Sequence, residues 1–209
     1  TLFFFFFIKH QAITSSLAIQ QDGKLLTFGY THFSFFYWEI VRFNPNGTLD
    51  STFGMDGIAR PELDFDVFDN LLVQKDGKII VFGTKDASLQ GYPVLIARLN
   101  PDGSIDSSFA DNGSFSRNIS DNSDYLNAGM ALPDGKLLFT GNSGNRFSLL
   151  RLNSDGSPDS TFGNNGVVLD NLLNNSWGVA LDVQPDQKIL VTGYANGKAM
   201  VVRYHPDGT

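Results

Sequence analysis

The side chains that could bind a ligand in this 209-residue chain are acidic, amide and aromatic groups in segments that occur only once. Carboxylates accept hydrogen bonds, and flat aromatic rings stack on apolar ligand surfaces. Such a set suits a carbohydrate or a cation. The candidates for a ligand-binding face are Asp64, Asp66, Asp69, Tyr92, Asp121, Asp124 and Trp177. The alternative is that these segments are ordinary solvated loops.

The sequence lacks several common catalytic motifs. The chain has no Gly-x-Ser-x-Gly elbow, no His-Glu-x-x-His pair, no phosphate-binding loop and no dinucleotide fingerprint. It has three histidines, and His205 stands at a repeat position that elsewhere holds Asn. Two carboxylates facing each other across a channel could hydrolyse a glycoside, but nothing in the sequence singles out such a pair. No catalytic residue is assigned.

Other polar residues recur in step, which indicates a role that every repeat needs. We interpret the Arg and Asp residues, eight positions apart, as partly buried ion pairs or turn-bonding carboxylates that hold a third strand to a fourth. The alternative is an anion site formed by Arg side chains in a central channel. The recurring Phe residues are interpreted as core anchors. These residues are Arg42, Arg98, Arg151 and Arg203, then Asp50, Asp106 and Asp159, and finally Phe53, Phe109 and Phe162.

The segment from Asn44 to Asp50 places side-chain oxygens at its first, third and seventh positions, as do its copies. This faintly resembles a calcium-binding loop, in which a hard cation collects oxygen ligands. However, glycine comes at position 4 rather than 6, and no glutamate follows at position 12. Turn formation is the favoured interpretation, so we expect no metal and no cofactor, with calcium as the alternative.

Internal repeats reveal the elements that must position these residues. The tetrad Asp-Gly-Lys-Leu begins at residue 22 and returns with small changes at residues 76, 134 and 186. A second block beginning with Arg at residue 42 returns at residues 98, 151 and 203. Two motifs recurring in phase predict one repeat domain over residues 1–209. Its units are roughly 17–70, 71–127 and 128–178, with partial units at 1–16 and 179–209.

Each unit predicts four short antiparallel strands. In the first, two strands flank Asp22-Gly23, a pair typical of a type I′ hairpin turn. A third strand over residues 38–43 ends in the type I turn pattern Asn-Pro-Asn-Gly, and a fourth is expected near residues 57–60. No window shows the apolar stripe of a helix. Four short strands in each 52–58 residues predict an all-β fold, a β-propeller built from four-stranded antiparallel blades.

The recurring pattern resembles the delta-60 repeat family of bacterial β-propellers. The best matching segments are residues 73–83, 98–109 and 183–193, and the resemblance covers about 190 of the 209 residues. Departures include Gln187 in place of a turn glycine and Pro158 in place of an aliphatic residue. The resemblance implies an exported or cell-surface protein with no established activity. An extracellular or cell-surface location is therefore expected.

Composition excludes several classes of partner. The chain carries 15 basic and 22 acidic residues for a net charge of −7, so it has no electrostatic footprint for nucleic acid. It has no cysteine, which excludes disulfides and thiolate chemistry. No stretch approaches the roughly 20 apolar residues of a membrane helix, so no membrane insertion is expected.

Both ends of the chain fall inside the repeat pattern. Residues 1–9 stand in the place of a fourth strand, although a processing remnant is the alternative. We expect an open fragment of a larger propeller, in which Met200–Tyr204 forms an exposed edge strand. Pairing of residues 3–8 with residues 200–204 would instead close a four-bladed ring.

The strong repetition favours a non-enzymatic module that acts as a binding or structural scaffold, with carbohydrate or protein as its partner. The alternative is a propeller lyase or glycoside hydrolase with its site at the channel mouth. Loops that join strands 4 and 1, and strands 2 and 3, emerge on one face of a propeller. Tyr92 and Trp177 are therefore expected on the same face, with Trp177 at least partly exposed.

Overall fold

The computed structural model describes residues 12–32, 36–63, 67–85, 92–120, 122–170 and 175–209. Within these ranges the chain forms fifteen strands and no helix, and every strand pairing is antiparallel. The strands are β1 (Ala12–Ile19), β2 (Leu25–His32), β3 (Phe36–Phe43), β4 (Ile58–Ala59), β5 (Val67–Val73), β6 (Ile79–Thr84), β7 (Val94–Leu99), β8 (Ser114–Arg117), β9 (Asp124–Ala131), β10 (Leu137–Ser143), β11 (Arg146–Leu152), β12 (Val167–Leu169), β13 (Ser176–Val183), β14 (Ile189–Ala195) and β15 (Lys198–Tyr204).

The strands form four sheets in which neighbours along the chain are neighbours in the sheet. Blades 1, 2 and 3 are the four-stranded sheets β1–β4, β5–β8 and β9–β12, and blade 4 is the three-stranded sheet β13–β15. The first strand of each blade contacts the first strand of the next. The blades are therefore arranged side by side with their first strands adjacent. This confirms the all-β prediction of antiparallel propeller blades.

The hydrophobic core lies between the blades rather than within them. One cluster joins blades 1 and 2, a second joins blades 2 and 3, and a third joins blades 3 and 4. Phe82 and Phe139, both fully buried, meet edge to face across the second of these interfaces at 5.1 Å. Because both faces of a middle blade are buried, its central strands are apolar on both sides, as in β6 and β7.

The first hairpin of each blade closes with a turn that differs from the prediction. The Gly23 amide donates to the Gln20 carbonyl over 2.9 Å, and the Gln20 amide donates to the Lys24 carbonyl over 2.8 Å. Gly23 has a φ of 81°, whereas Asp22 does not have a positive φ. A type I turn followed by one left-handed residue has this pattern, so the type I′ prediction is wrong. The Asp22 carboxylate accepts the Lys24 amide hydrogen bond at 3.1 Å, which favours this turn.

The glycine that follows each turn lysine by five residues faces a β-bulge in the first strand. A Cβ atom on Gly141 would lie 1.8 Å from the Tyr125 carbonyl oxygen. In blade 4, a Cβ atom on Gly193 would lie at the same distance from the Trp177 carbonyl oxygen. Only glycine permits this close approach of two backbones. The recurrence of glycine at this position is thus a requirement of the first hairpin.

The expectations about the chain ends depend in part on residues outside the described ranges. Residues 1–11 lie outside them, so the proposed pairing of residues 3–8 with residues 200–204 stays a prediction. Among the described residues, β15 pairs with β14 on one side and lies at the edge of its sheet.

Candidate functional site

The recurring Arg–Asp pair forms the same contact in each of the first three blades. In blade 2, Arg98 donates from Nε to the Asp106 carboxylate over 2.6 Å and from a terminal nitrogen to the Ser108 hydroxyl over 3.3 Å. The guanidinium carbon lies 4.6 Å from the centre of the Phe109 ring, a cation–π geometry. The Arg98 side chain is only 8% exposed, so these contacts form away from water.

A lysine from the hairpin turn completes this group of charges. Lys78 Nζ lies 2.5 Å from the Asp106 carboxylate, which therefore faces two cations. Burial by itself raises the pKa of Asp106, but the hydrogen bonds from Lys78, Ser108 and Arg98 outweigh it and hold the pKa well below its usual range. The carboxylate therefore remains ionised and pairs with both Arg98 and Lys78.

The arginine also reaches across to the next blade, which the sequence did not reveal. Its remaining terminal nitrogen donates to a backbone carbonyl in the second turn of the following blade. The three pairs are Arg42 with Pro101, Arg98 with Ser154 and Arg151 with Pro206. We call this group the blade latch: the Arg, Asp and Phe of one blade together with the second turn of the next, which is Asn-x-x-Gly in blades 2 and 3 and His-Pro-Asp-Gly in blade 4.

Two backbone features complete each blade latch. The Ala110 amide, which follows the Phe109 anchor, donates to the Asp155 carbonyl of the next blade over 2.7 Å. A Cβ atom on Gly156 would lie 2.8 Å from the Phe109 ring, so the turn glycine is needed for the close approach. Arg42, Arg98 and Arg151 use their donors within the latch, which argues against an anion site formed by these three side chains in a central channel, whereas Arg203 is exposed in β15.

The segment considered as a calcium-binding alternative uses its oxygens for turn formation. The side-chain oxygen Oδ1 of Asn46 accepts hydrogen bonds from the Thr48 amide and hydroxyl at 3.1 and 2.8 Å. Asn44 donates its side-chain amide to the Thr48 hydroxyl over 3.0 Å, and Asp50 pairs with Arg42. Among the described residues, no group of three or more His, Cys, Asp or Glu side chains is arranged to hold a metal ion.

The loop between β6 and β7 meets the beginning of β9, which places Tyr92 and Asp124 together. The Asp124 amide donates to the Tyr92 carbonyl over 3.0 Å, and Tyr92 is 42% exposed. Asp124 itself is fully buried, and its carboxylate accepts hydrogen bonds from Ser143, Ser120 and the Ile119 amide. Asp124 thus braces the loops rather than presenting a carboxylate to a ligand.

Blade 4 repeats this arrangement with aromatic side chains at the same edge. The Ser176 amide donates to the Asn145 carbonyl of the loop between β10 and β11 over 3.0 Å. The next residue, Trp177, is half-buried and stacks on Tyr194 with ring centres 5.1 Å apart. Tyr194 is 42% exposed. Tyr92 and Trp177 therefore lie on the same face of the molecule, as expected.

Tyr125 and Trp177 occupy equivalent positions, each directly after the first residue of a first strand. Tyr125 is 37% exposed. We call Tyr92, Tyr125, Trp177 and Tyr194 the aromatic rim. Sequence reasoning did not select Tyr125 or Tyr194, because only the register of the strands places Tyr194 beside Trp177 and Tyr125 at the position equivalent to Trp177. Tyr194 in β14 is paired directly with Trp177 in β13, which brings their side chains together.

The remaining candidates lie beyond what the structure describes. Asp64, Asp66 and Asp121 are outside the described residues, and Asp69 lies in β5, where its side chain is not described. Their part in a ligand-binding face stays a prediction.

Sheets of this topology, joined through a repeated contact between neighbouring blades, define a β-propeller repeat protein. The chain belongs to the β-propeller family of DUF5122, a domain of unknown function, whose model matches residues 20–53, 74–109, 132–162 and 184–209. Each match begins at or next to the first hairpin turn of a blade. The first three run to the Phe anchor of the blade latch.

Two solved structures share the fold. One is a protein of unknown function from Bacteroides caccae, with 16% identity and a TM-score of 0.54 over 94% of this chain and 65% of the other. The second is a catalytically inactive virginiamycin B lyase from Staphylococcus aureus with quinupristin, at 13% identity and a TM-score of 0.57 over 97% of this chain and 60% of the other. The chain thus spans less than two thirds of both structures. No curated protein matches it.

The part of the chain that the structure describes has no helix of sufficient length and apolarity to cross a membrane.

Proposed function

We propose that the chain is a non-enzymatic propeller module whose aromatic rim binds a carbohydrate or protein partner. One observation carries this proposal. The recurring polar side chains are used in the blade latch, whereas three aromatic side chains of the rim are exposed and the fourth, Trp177, is half-buried. Groups that are not needed for the fold and yet sit together on one face are the groups available for recognition.

The stacked pair at the rim supports a flat apolar ligand surface. Trp177 and Tyr194 lie nearly parallel, at 28°, and each combines an apolar ring with a hydrogen-bonding group. The C–H face of a sugar ring can stack on such a platform while its hydroxyl groups bond to nearby polar groups. A protein side chain can use the same surface, because Trp and Tyr are enriched at protein interfaces.

The test is a screen of the purified chain on glycan and protein arrays, with and without calcium. Trp177→Ala is expected to weaken binding at least tenfold, because it removes the larger ring of the stacked pair. Met55→Ala is the matched control, since Met55 is 76% exposed and lies in the connection between β3 and β4, away from the rim. Equal binding by Trp177→Ala and the unchanged chain would contradict the proposal.

The same preparation tests the enzymatic alternative. Turnover of an arrayed glycan or of quinupristin would favour a lyase or hydrolase, and would overturn the non-enzymatic proposal. We further propose that the repeats are of the delta-60 type and that the protein is bacterial and exported or held at the cell surface. Cell fractionation with an antibody against the chain tests the location, and recovery from the cytoplasm would contradict it.

A further inference from the structure

Two clefts lie between the blades on the face opposite the aromatic rim, where the hairpin turns emerge. The first cleft, between blades 1 and 2, has a volume of about 480 Å³ and is walled by the turns at residues 20–22 and 74–77. The second cleft, between blades 2 and 3, measures about 720 Å³. Both volumes fall within the range of about 300–1,000 Å³ that is typical of ligand sites. The corresponding space between blades 3 and 4 is only about 160 Å³.

A buried amide without a partner lies at each of the two larger clefts. Gln74 lines both clefts, is 8% exposed, and its Oε1 atom has no hydrogen-bond partner. Gln20 lines the first cleft, and its Oε1 atom is likewise buried and unpaired. Leu132 occupies the equivalent position in blade 3, and it borders both the second cleft and the small space. Gln184 of blade 4 also has a buried, unpaired Oε1 atom but lines neither cleft, so a cleft accompanies the unpaired amide in blades 1 and 2 alone.

An unpaired buried acceptor is costly, and a ligand that donates a hydrogen bond removes this cost. The last side-chain torsion of glutamine is broad, so the amide of Gln74 can turn its oxygen toward the cleft. The acceptor therefore selects a ligand with O–H or N–H donors.

The charges around the clefts argue against a strongly charged ligand. Arg42 and Arg98 line one cleft each, but both already pair with a carboxylate of the blade latch. Lys24 and Lys78 pair with the same two carboxylates. These four cations are thus neutralised within the latches, and Lys75, which also lines both clefts, stands next to the opposite charge of Asp76. The clefts therefore provide hydrogen-bonding groups, and a ligand does not need a charge of its own to bind there.

We propose that these two clefts bind neutral oligosaccharides, with Gln74 accepting a hydrogen bond from a sugar hydroxyl group. Hydroxyl groups both donate and accept, so the same ligand can also accept from the lysine and backbone donors that line the walls. This site is separate from the aromatic rim and does not rest on the function proposed for it.

The test is a titration of ¹⁵N-labelled protein with maltohexaose, cellohexaose and chitohexaose, observed through side-chain amide signals in NMR spectra. Saturable shifts of the Gln20 and Gln74 amide signals are expected for at least one of these sugars. Gln74→Leu, which copies the leucine of blade 3, is expected to weaken binding at least tenfold. Gln20→Leu is a second variant that removes the acceptor of the first cleft alone. Gln184→Leu is the matched control, because Gln184 is the same repeat residue and lines neither cleft.

Three results would overturn the proposal: no saturable shift with any sugar, equal losses in Gln74→Leu and Gln184→Leu, or binding only of an anionic probe such as heparin hexasaccharide. The first of these results would indicate that water alone pairs with the amides. Circular dichroism and the melting temperature establish that each variant is folded. Saturable shifts of the Gln20 and Gln74 amide signals without a shift of the Trp177 indole signal would separate binding in the clefts from binding at the rim.

Discussion

The contribution of each buried arginine to the free energy of unfolding depends on how many hydrogen-bond partners it has away from water. Arg98 bonds to a carboxylate, a hydroxyl and a carbonyl of the next blade while its side chain is only 8% exposed. An exposed ion pair contributes about 0–1 kcal/mol, because water competes for both charges. Removing one partner of a buried pair costs about 3–5 kcal/mol, because the other charge is left uncompensated. The blade latch belongs to the second class.

Replacing Arg98 by Ala is therefore expected to lower the free energy of unfolding by about 3 kcal/mol, the low end of this range, since the Ser154 carbonyl loses its donor while Asp106 keeps Lys78 as its second cation. Urea unfolding followed by circular dichroism measures the change. Arg203→Ala is the matched control, because Arg203 stands at the same repeat position but is exposed, and a change within about 0.5 kcal/mol is expected. Similar losses in the two variants would show that the latch is not the cause.

The latch aspartates also predict a dependence of stability on pH. The Thr52 hydrogen bond and the Lys24 contact hold the pKa of Asp50 well below its usual range, and the pKa values of Asp106 and Asp159 are likewise lowered. A lowered folded pKa means that the unfolded state binds protons more readily. The contribution to stability is thus complete above the unfolded value of about 3.9 and is lost as the pH falls toward the folded pKa.

The urea midpoint of the unchanged chain is expected to be constant from pH 7 to pH 5 and to fall steeply between pH 4 and pH 2. Asp106→Asn removes one of the three carboxylates, so its midpoint is expected to be lower at pH 7 and to fall less on acidification. Asp111→Asn, at an exposed aspartate outside the latch, is the control and is expected to keep the slope of the unchanged chain. A midpoint that does not change down to pH 2 would contradict the prediction.

At the scale of the element, the first hairpin of blade 4 is the one with an unfavourable turn residue. Gln187 has a φ of 67°, whereas glycine fills the equivalent position in the other three blades. A left-handed conformation costs a residue with a Cβ atom roughly 1–2 kcal/mol, and glycine avoids this cost. Gln187→Gly is therefore expected to stabilise the chain by about 1 kcal/mol, measured by urea unfolding. Gly135→Gln, the reverse change in blade 3, is expected to destabilise it by a similar amount.

The strands and their pairing were predictable because each repeat carries its own local pattern. Alternating apolar residues, Asp-Gly turns and the spacing of the repeats predicted four strands in each blade. The turn type was not predictable from Asp22-Gly23 alone, because the Asp22 carboxylate bonds the Lys24 amide and favours a type I turn. The carbonyl acceptors of the blade latch were not predictable either, because every residue has a backbone oxygen and its type does not show which one accepts a hydrogen bond.

The aromatic rim shows the same limit at a candidate site. Tyr92 and Trp177 were candidates because they stand in loops that occur once, but Asp124 was expected beside them as an exposed carboxylate. Its carboxylate is satisfied by the hydroxyl groups of Ser120, in the connection between β8 and β9, and of Ser143, at the end of β10. Tyr194 lies 17 residues after Trp177, and only the register of β13 and β14 brings the two rings together.

At the scale of the whole molecule, stability is held in three interfaces rather than in one core. Each hydrophobic cluster joins two neighbouring blades, and each blade latch crosses the same boundary. Stability in such an array is approximately a sum of blade terms and nearest-neighbour terms. Loss of one interface is then expected to act locally, with the other two interfaces retained.

Phe109→Ala tests this at the boundary between blades 2 and 3. The ring is fully buried, lies under the Arg98 guanidinium and packs closely against Gly156 of the next blade. The substitution is therefore expected to lower the free energy of unfolding by about 3–5 kcal/mol. Hydrogen exchange should show the largest loss of protection in β6–β11, with β2 and β3 in blade 1 retaining theirs. Phe53→Ala is the matched comparison, because it removes the same ring from the preceding boundary and should shift the loss toward blades 1 and 2. Uniform loss of protection along the whole chain in both variants would show that the blades unfold as one cooperative unit, against the nearest-neighbour account.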